Sequence, residues 1–331
     1  MCHIRLSPTA LMKCLAAAMT LSLSGCVYDY PPKECFMTAS VEVRFDWSLA
    51  DGSPLPDGMG VMMYPGVSPD YFRFDMPPEG AEISLKDNTY SVISYNNDSS
   101  DILFRDDDGF GRFKAVTASA QLSDGRAEIA TGQRLPASGS EPPRPRGAES
   151  EPVRREPDML FAAAREGFTV PPPMQADGAT IMRLQPRPMT VRYSVTVDEV
   201  ENIMSVASAS IAISGQSEGI LLSGPQRLPQ KVTVPGTVVS GTINSLSGEI
   251  LTFGVPDGEV ATTLSLYVWL RDGSKMAFEF PVSDQIEPHR NDTHISLRVK
   301  GVRLPQVSAG SGTGMEVDVD EWESVFIELS T

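Results

Sequence analysis

The chain has 331 residues, 41% of them apolar and 7% aromatic, with 27 lysines and arginines against 43 aspartates and glutamates. That length accommodates two ordinary domains with cores of their own. A net charge of −16 repels phosphate backbones and anionic lipid surfaces, which excludes nucleic acid as a partner and surface charge as a way of holding a membrane.

The first residues read as a secretory signal. Arg5 and Lys13 are the only charges before Cys26, and Leu15 to Leu23 is an apolar run too short to span a bilayer. Met12 offers a second start, because "MKCLAAAMTLSLSGC" is a complete short signal. Leu23-Ser24-Gly25-Cys26 resembles a bacterial lipobox, which implies cleavage before Cys26 and lipid on that cysteine. An ordinary signal peptide with an incidental cysteine is the alternative. Several acyl chains on one residue anchor stably where a single chain is marginal. Removing residues 1–25 leaves 25 basic residues against 43 acidic ones, a net charge of −18. The other cysteines stand at positions 2, 14 and 35. Only Cys35 stays beside the lipidated residue, so neither a disulfide framework nor a cysteine metal site is possible within the mature chain.

Residues 26–38 form a lipidated tether, with two prolines and mixed polarity. A first all-β domain is expected over residues 39–135. "SVEVRFDW" alternates Val41, Val43, Phe45 and Trp47 with polar residues, and "VMMYP", "YFRFDM", "EISL", "TYSVISY", "DILF" and "RFKAVTASA" follow between turn signals. Short strands at this spacing predict an antiparallel sandwich. Residues 136–157 hold six prolines and eight charges with no aromatic, and predict a linker or loop with little to bury.

A second sandwich is expected over residues 158–331. "DMLFAAAREG" opens it as a short helix, with Asp158 as N-cap and Gly167 as stop. "VRYSVTV" puts Val191, Tyr193, Val195 and Val197 on one face, and Asp198 to Glu201 resembles a capping box. Leu264, Leu266, Val268 and Leu270 alternate, as do Met276, Phe278, Phe280 and Val282. An odd-length loop in "RDGSK" keeps both sets on one face and pairs Val268 with Phe278.

Catalytic chemistry is sparse. His289 and His294 sit in "PHRNDTHISL" without a convincing carboxylate pair, and read as a solvated loop entering a strand. Asp106, Asp107 and Asp108 are adjacent, whereas calcium loops space their acids, so they read as an acidic turn. No nucleophile elbow or phosphate-cradling loop occurs. No catalytic residue, metal or cofactor is expected. Tyr64, Tyr71, Phe72, Phe74 and Tyr95 are candidate core residues, with one or two as a candidate glycan platform.

The tail closes the chain with a distinctive pattern. Met315, Val317, Val319, Val325, Ile327 and Leu329 share one parity and Trp322 lies on the other. Such a strand either closes its own sandwich or adds to the sheet edge of another subunit.

"VEVRFDWS", "PDGMGVMMYP", "ISLKDNTYSVISYNND", "REPDMLF" and "VDVDEWESVFIEL" together resemble a family of Bacteroidetes lipoproteins of unassigned function, grouped with the fimbrillin superfamily and its fimbrial anchor or minor subunits. The resemblance implies two transthyretin-like β-sandwich domains in tandem, a lipid anchor in the outer membrane, exposure at the cell surface and a place in a fimbria. The resemblance also implies that polymerising stalk subunits lose an N-terminal strand to proteolysis and receive a neighbour's C-terminal strand, whereas anchor-like members keep their N-terminus on the lipid. Arg44 is early, but no clear processing site follows it, which fits an anchor better. The expected function is non-enzymatic adhesion or pilus assembly by strand addition, with fimbrial subunits or surface glycans as partners. The alternative is a glycan-binding surface lipoprotein of a nutrient-uptake system.

Overall fold

A computed structural model of the chain describes residues 38–66, 68, 70–123, 126–128, 140–172, 180–241, 244–307 and 321–328. Cys26 and Cys35 lie outside the described residues. The strands of the first half are β1 (Thr38–Phe45), β2 (Met59–Pro65), β3 (Phe72–Met76), β4 (Ala81–Lys86), β5 (Asn88–Asn96), β6 (Ile102–Arg105), β7 (Lys114–Thr117), β8 (Ala127–Glu128), β9 (Phe161–Val170), β10 (Thr180–Leu184) and β11 (Arg187–Pro188). The second half holds β12 (Val191–Asp198), β13 (Val206–Ser217), β14 (Gly219–Leu221), β15 (Lys231–Gly241), β16 (Leu246–Thr252), β17 (Thr263–Leu270), β18 (Lys275–Pro281), one helical turn α1 (Ser283–Ile286), β19 (His294–Lys300) and β20 (Trp322–Phe326).

The first sandwich packs a sheet ordered β10-β1-β4 on a sheet ordered β11-β9-β5-β2-β3. Its core takes Val41 and Val43 from β1, Met59, Val61 and Met63 from β2, and Val92 from β5. The period of two explains the other face of the second sheet. Met62, Tyr64, Ile93 and Tyr95 point away from that core into another one, with Phe113, Leu160 and Leu222. A sheet buried on both faces needs a continuous apolar run, which "GVMMYP" supplies. A small sheet ordered β14-β7-β6 covers that second core, so strands from both halves share one ladder.

The second sandwich is one continuous sheet ordered β19-β12-β16-β15-β13-β17-β18-β20. Its core draws on every strand from β12 to β19 except the short β14, and Val325 and Ile327 pack against it. The chain is therefore an all-β protein of two tandem sandwiches, with one short α-helix among the described residues. Most ladders are antiparallel, but β1–β10, β12–β19 and β18–β20 run parallel.

Several sequence expectations are corrected. The stretch from 158 to 167 is not a helix: β9 pairs with β5 over Asn88–Tyr95, and Phe161, Phe168 and Val170 are buried. Burial of these side chains overrides the helix propensity of Ala162 to Ala164. Asp158 caps a loop instead, accepting from the Ser100 and Asp101 amides at 2.7 and 2.9 Å. Burial opposes ionisation of this carboxyl, but these donors together with Ser99 outweigh it and hold the pKa low. Because β9, β10 and β11 belong to the first sandwich, the second begins near Val191 and not at 158.

The proline-rich segment is packed, at least over residues 140–157. Val153 forms a parallel bridge to Thr233, whose amide donates to the Pro152 carbonyl at 3.0 Å. This strap crosses the outer face of β13, β17 and β18, where Val153 and Leu122 join Ala212, Tyr267, Trp269 and Ala277 in a small core. The capping box at 198–201 is not formed. Glu199 and Asn202 adopt positive φ, and a single 3-10 turn follows at Ile203–Ser205. In the β17–β18 hairpin the loop is odd and both apolar sets face inward, but Val268 pairs with Met276, two residues from the expected Phe278.

Candidate functional site

The tail residues converge on β18. From Lys275 to Glu279, β18 pairs with β17 on one side and with β20 on the other, and the Ile327 amide donates to the Glu279 carbonyl at 3.0 Å. Alternation turns Val325 and Ile327 onto the large core and Trp322 to the opposite face. There the Trp322 ring meets Tyr267 and Trp269 edge-on, with centroids 5.7 and 5.2 Å apart. Its Nε1 donates to the Ser140 carbonyl at 3.1 Å.

The strap holds the same edge at further points. Tyr267 donates its hydroxyl to the Pro143 carbonyl at 2.8 Å, and burial raises the pKa of that hydroxyl. The Arg146 amide donates to Glu279 Oε2 at 3.2 Å, and the Arg146 guanidinium lies 5.6 Å from the Phe326 ring centre. Glu279 is 8% exposed, and burial raises its carboxyl above the ordinary value. Of the candidate tail residues, the structure brings together Trp322, Val325 and Ile327. Met315, Val317, Val319 and Leu329 lie outside the described residues.

Sequence reasoning missed Ser140, Arg146 and Glu279. One signal was available: Glu279 is a lone acid between Phe278 and Phe280. It marks the outer face of that strand and calls for a buried donor.

The other candidates are dispersed. His289 pairs with Asp292 at 2.8 Å, and His294 shares a hydrogen bond of 2.7 Å with Ser194. Asp106 pairs with Lys114 and Asp108 with Arg112, at 2.8 and 3.0 Å. No group of three or more metal-ligating side chains occurs among the described residues. Tyr64 and Tyr95 are buried, Phe74 packs on the first core, and Tyr71 and Phe72 are exposed. Tyr71 precedes β3, its ring 6.1 Å from that of Tyr64, and Phe72 opens the strand.

A cavity of about 650 Å³ opens where the strap passes between the halves, lined by Asp101, Arg155, Glu156, Arg192 and Leu251 among others. Glu156 accepts from the Leu251 amide at 2.6 Å. Burial nevertheless pushes its carboxyl up to about 7. Arg155 and Arg192 are paired with Asp101 and Glu249.

Residues 27–236 match a family model described as a domain of unknown function, DUF5119. The chain belongs to the DUF5119 family. No functionally curated protein matches this DUF5119 chain. Among solved structures it is similar to a candidate adhesin from Bacteroides ovatus, at 16% identity and a TM-score of 0.57, over 84% of this chain and 95% of that one. It is also similar to the fimbrial anchor protein Mfa2 from Porphyromonas gingivalis, at 13% identity and a TM-score of 0.50, over 80% of this chain and 90% of that one. Both likenesses are of fold. The DUF5119 match runs through the first sandwich, the strap and the second sandwich as far as β15.

Proposed function

We propose that this chain is a non-enzymatic surface lipoprotein, lipidated at Cys26 and held at the outer membrane, which acts as an anchor or minor subunit of a fimbria. It engages neighbouring subunits by strand addition at β18. One observation carries this reading: among the described residues β20 is an edge strand, laddered on one side to β18 and half-exposed along its length. The fold likeness to a fimbrial anchor protein supports the class of function. An edge with five paired positions offers a partner its backbone donors and acceptors, and the seats of Val325 and Ile327 fix the register of whatever strand lies there. Either β20 leaves to join the sheet of a partner, or a partner strand takes its place.

A reversible clamp tests this. Ala277 and Ser324 are directly paired, so the double substitution Ala277→Cys and Ser324→Cys permits a disulfide across the seam. In pull-downs from native cells the oxidised protein is expected to lose strand-rich subunits, and reduction to restore them. Equal capture by oxidised and reduced protein would remove strand exchange at β18 from the mechanism.

A further inference from the structure

Away from β20, a groove of about 550 Å³ runs where the end of the first sandwich meets the loop Leu222–Pro225 of the second. Three arginines line it: Arg165 of β9, Arg183 of β10 and Arg187 of β11. All three are exposed and no acidic residue lines the groove. Among the described residues none of the three forms an ion pair, in a chain whose net charge is −16. Arg165 lies over the Phe168 ring at 5.0 Å and reaches the Arg183 carbonyl at 3.5 Å. Arg44, which pairs in register with Arg183, is bound through two nitrogens to Glu42 at 2.7 Å each. The nearby Asp46 carboxylate accepts from the Ser48 amide at 3.1 Å and from Gln185 at 3.4 Å. Glu166 is also exposed, but it follows Arg165 directly and the pleat turns it to the other face. Arg183 is within reach of the charge of Asp46, which it helps keep ionised, but among the described residues no carboxylate is in contact with any of the three. Three guanidiniums lining one groove without a contacting carboxylate are a site for oxyanions, which they bind through paired N–H donors.

The backbone identifies the kind of anion. β9 is laddered along its length to β5, but on its other side β11 covers only Phe161 and Ala162. Among the described residues, Ala163 to Val170 therefore have no ladder partner on that side. Ala163, Ala164 and Arg165 both line the groove and belong to this open edge. No aromatic side chain lines the groove, so a sugar ring has nothing to stack on. Leu49, which is 46% exposed, together with Met189 and Leu222 supplies apolar wall instead.

We propose that this groove docks an extended acidic peptide of a partner protein, added along the β9 edge with its carboxylates on Arg165, Arg183 and Arg187. An added strand presents alternate side chains to one face, so the preferred sequence alternates acidic and apolar residues. This contact lies in the first sandwich and does not depend on β20.

The test is fluorescence anisotropy with the full-length chain in detergent and a labelled peptide alternating glutamate and valine over about ten residues. Saturable binding is expected, weakening steeply with salt. Arg183→Gln and Arg187→Gln are each expected to weaken it about tenfold or more, the scale of a lost charge-assisted hydrogen bond. Both substitutions are at exposed positions, and unchanged melting temperatures verify folding. N-methylation of alternate peptide amides is expected to abolish binding. Four outcomes would overturn the proposal. They are no saturable binding, equal affinity of the glutamine variants, equal binding of a lysine–valine peptide, or binding of polygalacturonate with none of the peptide. The last would make the groove a site for acidic polysaccharide.

Discussion

The indole of Trp322 donates to the backbone carbonyl of Ser140, at 3.1 Å, across 182 residues of sequence. The strap and the C-terminal strand are thus fastened to each other as well as to the sheet between them. Trp322→Ala removes this bond and two edge-on ring contacts. We expect a loss of about 2–3 kcal/mol, less than for a fully buried tryptophan. Hydrogen exchange should accelerate in residues 321–328 before it does in β17. Uniform acceleration across the second sandwich would show that β20 cannot leave independently of its sheet.

Stability should depend on pH through Glu156. Its carboxyl stands at about 7 in the folded chain because burial disfavours the charge. In the unfolded chain it titrates near 4.3. The folded state thus holds the proton more tightly, and this group favours folding more as pH falls. The penalty is complete above pH 7, shrinks between 7 and 4, and vanishes below that range, amounting to about 4 kcal/mol at most. Glu156→Gln keeps an acceptor for the Leu251 amide and should raise the melting temperature at pH 8 but not at pH 4. Parallel melting-temperature profiles of wild type and variant would exclude this carboxyl as the source.

The turn between β3 and β4 depends on Gly80. It adopts φ +101°, its amide closes a turn onto the Pro77 carbonyl at 3.0 Å, and a Cβ there would stand 2.0 Å from the Val43 carbonyl oxygen. Gly80→Ala should cost at least about 2 kcal/mol, because backbone must move to admit one methyl group. Calorimetry should register roughly 2–4 °C of lowered melting temperature per kcal/mol.

Leu266 and Phe278 are paired across the β17–β18 ladder and are 0% and 1% exposed. Leu266→Ala should cost about 2–5 kcal/mol and Phe278→Ala about 3–5 kcal/mol. The double variant should cost less than the two together, since they share one cavity. Chemical denaturation of the four proteins measures this coupling, and strict additivity would contradict direct packing.

The all-β class was legible because period-two alternation is strong in β1, β12, β17 and β18. The register of the β17–β18 hairpin was not. A shift of two residues leaves every side chain on its own face, so burial cannot distinguish Val268 against Phe278 from Val268 against Met276. Ala162 to Ala164 carry high helix propensity and side chains too small to show a buried face in the sequence, and the partner strand β5 decides their conformation. The strap was misread because its contacts are mostly backbone and polar, and composition does not report hydrogen bonds. Three of the seven residues of the tail pattern lie among the described residues. Trp322, Val325 and Ile327 fall on the faces that their parity assigns.

The two ends of the described chain are built to different mechanical tolerances. β1 lies between β10 and β4 and is bonded on both sides. A load entering at Thr38 along the strand axis is shared by both ladders at once, and they must shear together before the strand slides. Among the described residues β20 is laddered to β18 alone, with one side-chain bond from Trp322 to the strap, so a load across its axis opens the ladder one bond at a time from either tip. Peeling β20 from its single ladder therefore takes less force than sliding β1 out of its two.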